Sequence, residues 1–221
     1  MKRLARWFKG WLYRTTDWHM SHGVRVSAFL AAEAEQPTCL AKVEAALGLI
    51  QSHAPAHLAR LHRHVGGILV FPMDDAIAVW RQDLDACLLA ASWVHRVEVT
   101  SEDVAASIIH ELMHARLDAI GFPYDNTTRA RVERICALAE RNFAARLPPT
   151  VARERLEETL TDRLAIEAAY WSDDAIRRRA EERRRTWPFW RRAAYSSVRG
   201  IRWIAVRARN LTNVAADERV C

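Results

Sequence analysis

Within five consecutive positions, His110-Glu111-Leu112-Met113-His114, the chain carries residue types whose spacing defines a chemistry. On an α-helix, side chains four apart share a face with Cβ atoms about 5–6 Å apart, so both imidazoles can present a nitrogen to one cation. Glu111 stands to one side of that pair. From there it can take a proton from a metal-bound water and pass it to a leaving amine, the work of a general base. The cation expected is a single Zn2+, which lowers the pKa of bound water toward about 7 and polarises a carbonyl under attack. A chain of 221 residues with 9 histidines and 15 glutamates produces this pattern by chance about 2 % of the time. Val104, Ile108, Ile109, Leu112, Leu117 and Ile120 make the surrounding helix apolar on nearly every side. Two imidazoles and a carboxylate buried there without a partner would cost several kcal/mol, and a metal is the natural partner. The alternative is a pair of core histidines bonded to backbone.

Two helices must position these groups. Thr100 as N-cap with Asp103 at the third position, a periodic stretch from Ser101 to Ile120, then Gly121 and Pro123, predict the first. A second is expected from near Asn126–Thr128 to a point before Pro148-Pro149. If Gly121-Phe122-Pro123-Tyr124 folds the two antiparallel, His114 and Glu133 each stand about 9 Å from the turn and face one another. Glu133 is therefore the expected third ligand, on a face shared with Ala137, Glu140 and Ala144. The alternative for Glu133 is a solvated carboxylate among Arg129, Arg131 and Arg134. Glu140 falls level with Ser107, which suits a supporting role or a pairing with Arg141 or Arg116. Candidates to stabilise a transition state are Tyr124, Tyr170 and His95.

Earlier in the chain, Glu35–His64 reads as helix with an interruption at Pro55. Its histidines, His53, His57, His62 and His64, lie on different faces and read as surface or satisfied side chains. Beyond Gly66-Gly67, the apolar runs Ile68–Phe71, Ala76–Trp80 and Ala86–Val94 read as a small antiparallel meander, although the third alternates poorly and its start could be helical. Helices are also expected from Thr150 to about Tyr170 and from Ser172 to Arg185. The fold class is thus α+β, mostly helical, with a small antiparallel sheet before the motif helix. Three regions follow: residues 1–25 as a basic aromatic segment, 26–170 as the domain carrying the motif, and 171–221 as an Arg- and Trp-rich helical segment.

Charge is segregated along the chain. Residues 1–25 hold 6 basic and 1 acidic side chain, residues 26–176 hold 14 and 22, and residues 177–209 hold 12 and 2. The basic ends are interleaved with Trp7, Trp11, Trp18, Trp187, Trp190 and Trp203. This mixture suits solvated helix faces with core tryptophans, an anionic membrane surface and, third because no nucleic-acid module accompanies it, nucleic acid. Cys39, Cys87, Cys136 and Cys221 form no CxxC pair, so neither a disulfide framework nor a cysteine-ligated metal site is readable, and a reducing compartment is expected. With neither an uninterrupted apolar stretch behind the basic N-terminus nor a spanning segment, the expectation is a cytoplasmic protein, peripheral at the inner face of the membrane if the ends bind lipid.

With 18 residues between His114 and Glu133, the region from about residue 65 to 147 resembles the gluzincins, the thermolysin-like and aminopeptidase-N-like zinc metallopeptidases. The resemblance implies a zincin domain with His110, His114 and Glu133 as ligands, Glu111 as general base, and a peptide or protein substrate extended along a sheet edge. It differs from the metzincins, which place Gly at position 117 and His at position 120, where this chain has Leu117 and Ile120. The expected activity is zinc-dependent hydrolysis of peptide bonds. The alternative is a non-enzymatic module in which the same ligands hold a structural zinc while the basic, Trp-rich ends bind membrane, nucleic acid or a protein.

Overall fold

The computed structural model describes residues 13–14, 16–28, 35–73, 76–166 and 168–185. Contacts group residues 1–173 into one compact unit and residues 174–221 into another. Trp7, Trp11, Trp187, Trp190 and Trp203 lie outside the described residues, so the reading of the basic ends rests on sequence for all of them.

The first unit holds a five-stranded sheet ordered β1-β2-β3-β5-β4, with β1 His19–Ser21, β2 Val24–Ala28, β3 Gly67–Phe71, β4 Ala78–Arg81 and β5 Ala86–Ala90. Strands β2, β3 and β5 run parallel to one another, while the two edge strands, β1 and β4, pair antiparallel with β2 and β5. The sheet is therefore mixed, which corrects the antiparallel meander expected from the sequence. The physical reason is that β4 takes the sheet edge instead of the place between β3 and β5, so these two strands, which run the same way, pair directly; the crossover through helices α1 (Gln36–His53) and α2 (Pro55–His64) likewise brings β3 back parallel to β2. Parallel central strands are covered on both faces and read as continuous apolar runs. All of β5 is buried, so it lacks the period-two signal, and its expected extension to Val94 is instead a short helix, α3 (Ala91–Val94).

The β1–β2 hairpin spans residue 25 and was not expected. Its turn residues His22 and Gly23 both have positive φ, 49° and 77°, as the twist of a two-residue hairpin requires. Alternate residues of β3 and β5 feed two apolar clusters: Ile68, Val70, Cys87 and Leu89 face the main core, while Leu69, Ala86, Leu88 and Ala90 join a smaller one with Met73 and Leu84. Trp18 packs on this smaller cluster, so the one described tryptophan of the basic ends is part of the core.

The helices follow their sequence signals closely. Ala54, with φ −147°, separates α1 from α2, where Pro55 begins the new helix without an N–H to give. α4 (Ser101–Ala119) opens on a capping box: the Thr100 N–H donates to Asp103 Oδ2 at 2.8 Å and the Asp103 N–H to Thr100 Oγ1 at 3.4 Å. It closes on Gly121 at φ 70°, where the N–H of Phe122 reaches the Leu117 carbonyl at 2.9 Å and that of Gly121 the Asp118 carbonyl at 2.9 Å, a Schellman arrangement that needs glycine. Asp125 then accepts the N–H groups of Thr127 and Thr128 at 2.8 and 3.1 Å, turning the chain into α5 (Arg129–Ala144). α6 (Val151–Leu164) starts at its Thr150 cap, followed by a 3-10 turn at Ala168–Trp171. α7 (Asp173–Arg185) carries the arginine run. Among the described residues, no helix is long and apolar enough to cross a membrane.

Candidate metal centre

Helices α4 and α5 pack closely along their lengths, and their contact brings His110, His114 and Glu133 together. The two Nε2 atoms are 3.1 Å apart. Glu133 reaches both, with Oε2 3.3 Å from His110 Nε2 and Oε1 3.6 Å from His114 Nε2. A tetrahedral ion with bonds of about 2.0–2.2 Å has donor–donor edges of about 3.3–3.5 Å, and these three separations bracket that value. The antiparallel turn deduced from Gly121–Tyr124 thus places its residues as the spacing argument requires.

Behind the first imidazole, His110 Nδ1–H donates to Glu140 Oε1. That bond engages Nδ1 and leaves Nε2 as the ring nitrogen that faces His114 and Glu133. Glu140 is only 2 % exposed. Its charge is met by Arg163 of α6, whose Nη1 donates to both carboxylate oxygens at 2.8 and 3.0 Å. The cation on Glu140 is therefore neither Arg141 nor Arg116. Arg163 had no signal in the sequence, because its helix is mostly polar and lies 23 residues further on.

Glu111 is 6 % exposed, and its Oε2 accepts the backbone N–H of Trp80 on edge strand β4 at 2.5 Å. The general-base candidate is thus tied by a hydrogen bond to the rim of the sheet. Burial raises its carboxyl to about 7, against the opposing pull of His110. Burial alone would lower the His110 pKa, but its bonds to Glu133 and Glu140 outweigh this and push it up to about 10. His114 is driven the other way, to about 4, by burial and by the neighbouring His110 charge. Burial opposes ionisation of Glu133, yet its bond to His110 and the charges of both rings draw it down to about 2. A divalent cation would displace the proton that these bonds hold on His110, its charge taking the place of the ring's beside Glu133 and Glu140. The donor types, two imidazoles with a carboxylate against both, suit a divalent metal ion.

Cys136 is the functional candidate that the sequence reading missed. Its thiol lies one turn from both Glu133 and Glu140, and His110, His114 and Cys136 offer three donor atoms within 4.8 Å of one another. This buried group could hold a metal ion. Burial, with Glu133, Glu111 and Glu140 nearby, keeps the thiol pKa well above its ordinary value, so a metal would have to displace the thiol proton to bind there. The i, i+3 relation of Glu133 to Cys136 was the available signal, hidden by the search for CxxC pairs.

Of the transition-state candidates, Tyr124 reaches the site. Its hydroxyl donates to Glu133 Oε1 at 2.6 Å and its ring meets His114 edge-on at 5.3 Å, while 51 % of the residue stays exposed. His95 does not: it caps α3 and lies 4.0 Å from Glu35 at the start of α1. Tyr170, in the 3-10 turn, packs edge-on against Trp171 at 5.1 Å. Comparison of the chain with protein-family models, with curated proteins and with solved structures finds no match.

Proposed function

We propose that this protein is a zinc-dependent hydrolase of peptide bonds. The observation that carries the reading is the convergence of two imidazoles and the Glu133 carboxylate at tetrahedral spacing, with a buried carboxylate, Glu111, directly beside them. His110, His114 and Glu133 would hold the ion, which when bound supplies Lewis-acid polarisation of a carbonyl and a more acidic water. Glu111 takes the proton of the water whose oxygen adds to the carbonyl carbon, and returns it to nitrogen as the C–N bond breaks. Glu140 holds His110 in register, and Tyr124 holds Glu133 at the solvent-facing side. A peptide running beside β4 would approach the residue whose N–H Glu111 already engages. Glu111→Gln tests the reading. Zinc content should stay at one ion per chain while turnover of a denatured-protein substrate falls about 10²–10⁴-fold; a variant that cleaves as fast as the natural chain removes Glu111 from the chemistry.

Cys136 favours a second reading. Structural zinc sites are closed by four protein ligands, and a thiolate at 136 would make such a set with His110, His114 and Glu133. Cys136→Ala separates the two. Retained zinc and activity supports the hydrolase, whereas loss of zinc with loss of fold supports a structural centre in a binding module.

A further inference from the structure

A second cluster of titratable side chains lies on another side of α4. His57, Arg60 and His64 recur at intervals of three and four on α2, so they share one face of it. α2 packs on α4, and Arg116, two residues past His114, is turned about 200° round that helix from the imidazole. Arg146 follows the end of α5. Arg60, Arg146 and Arg116 all lie close enough to act on the His57 ring, and Arg60, Arg63 and Arg116 on that of His64.

Three separate elements thus bring cations near the His57 ring. Among the described residues, none of Arg60, Arg116 and Arg146 forms an ion pair. Arg116 makes a weak bond from Nη1 to Met113 Sδ at 3.4 Å, and is half-buried against Arg60. In the same place, His57 Nδ1 is buried without a hydrogen-bond partner. The negative end of the α2 dipole accounts for basic residues in its last turn, but not for Arg116 and Arg146, which come from other elements. Crowded like charges and a buried ring nitrogen without a partner both destabilise a fold. One doubly charged oxyanion entering between the guanidinium groups would relieve both.

We propose that His57, Arg60, Arg116 and Arg146 form a binding site for a phosphate group. A carboxylate carries one charge against three cations; a phosphate carries close to two and has enough oxygens to accept from several planar guanidinium forks at once. The group could be inorganic phosphate or the phosphomonoester head of an anionic lipid, which share this chemistry. The site is independent of the metal centre and does not rest on the hydrolase reading.

The test is calorimetric titration of the full chain with inorganic phosphate against chloride at equal ionic strength. Saturable one-site binding is expected, weakened about tenfold or more by Arg60→Gln or Arg116→Gln and unchanged by Arg177→Gln in α7. Arg146→Gln, at an exposed position outside any helix, should weaken it likewise without touching the core. In phosphate-free buffer the Arg60→Gln and Arg116→Gln variants should melt at or above the temperature of the natural chain, because repulsion is relieved. Lower melting would mean that these arginines hold the helices together, and overturns the proposal. Sedimentation with phosphatidylcholine vesicles, with and without phosphatidic acid, then identifies the source. Co-sedimentation only with phosphatidic acid, reduced by the same variants, assigns a lipid head; phosphate binding without co-sedimentation assigns the free ion. No saturable phosphate binding, or equal binding by all variants, refutes the site.

Discussion

Glu140→Gln probes the layer behind the metal ligands. The substitution keeps size and leaves an acceptor for His110 Nδ1–H, but removes the charge that makes this bond strong and that Arg163 neutralises. Charge-assisted hydrogen bonds are roughly twice as strong as neutral ones, and losing the partner of a metal-bound imidazole costs about 10–100-fold in metal affinity, equivalent to about 1.4–2.8 kcal/mol. The folding cost is smaller, because the Arg163 side chain is 29 % exposed and can turn to water; about 1–2 kcal/mol is expected, lowering the melting temperature by roughly 2–8 °C. Competition with a chelator of known affinity measures the first quantity, and melting of the metal-free chain the second. Arg163→Met leaves the His110–Glu140 bond in place and should affect affinity less. Zinc affinity within twofold of the natural chain in Glu140→Gln, or a larger loss in Arg163→Met, would refute the idea that Glu140 acts by orienting His110.

Further consequences can be measured separately. Burial, followed by Arg60, Arg146 and Arg116, lowers the His57 pKa to about 4 from 6.5, so between those values the unfolded chain binds a proton that the folded chain refuses, and stability falls as pH drops through that window. After discounting for partial exposure, about 1–2 kcal/mol of this loss should vanish in His57→Phe, measured by urea unfolding at the two ends of the window. Asp103→Ala removes both half of the α4 capping box and the partner of Arg155; urea unfolding should show a loss of about 1–2 kcal/mol, and an unchanged midpoint would discount the cap. At Gly67 an added Cβ would meet Trp18 Cζ3 at 2.7 Å. Gly67→Ala should therefore displace the indole, cost about 1–3 kcal/mol and shift tryptophan emission; emission identical to the natural chain would place Trp18 elsewhere.

The parts of this fold that were legible in sequence are those fixed by local chemistry. Thr100 with Asp103, Gly121, Pro55 and Thr150 each mark a helix end through a hydrogen bond or a missing N–H that involves residues at most five apart, so no knowledge of tertiary structure is needed to read them. The sheet was misread for the opposite reason. Whether β3 pairs with β4 or directly with β5 depends on where β4 goes, and β4 leaves no local trace of having taken the edge. The burial that parallel packing imposes on Ala86–Ala90 removes the very alternation by which a strand is recognised.

The candidate metal centre divides along the same line. His110, Glu111 and His114 are read from one turn of one helix, and Glu133 follows once the α4–α5 turn is known, because an antiparallel pair converts distance from the turn into contact. Arg163 has no such route: α6 meets Glu140 only through the packing of a third helix, and a mostly polar helix does not announce which arginine turns inward. Yet Arg163 decides how Glu140 can serve the His110 ring. With a guanidinium on both of its oxygens the buried carboxylate is a neutralised acceptor for His110 Nδ1–H, whereas without it Glu140 would be an uncompensated anion in the core, and holding the imbalance there would cost more than the bond to His110 returns.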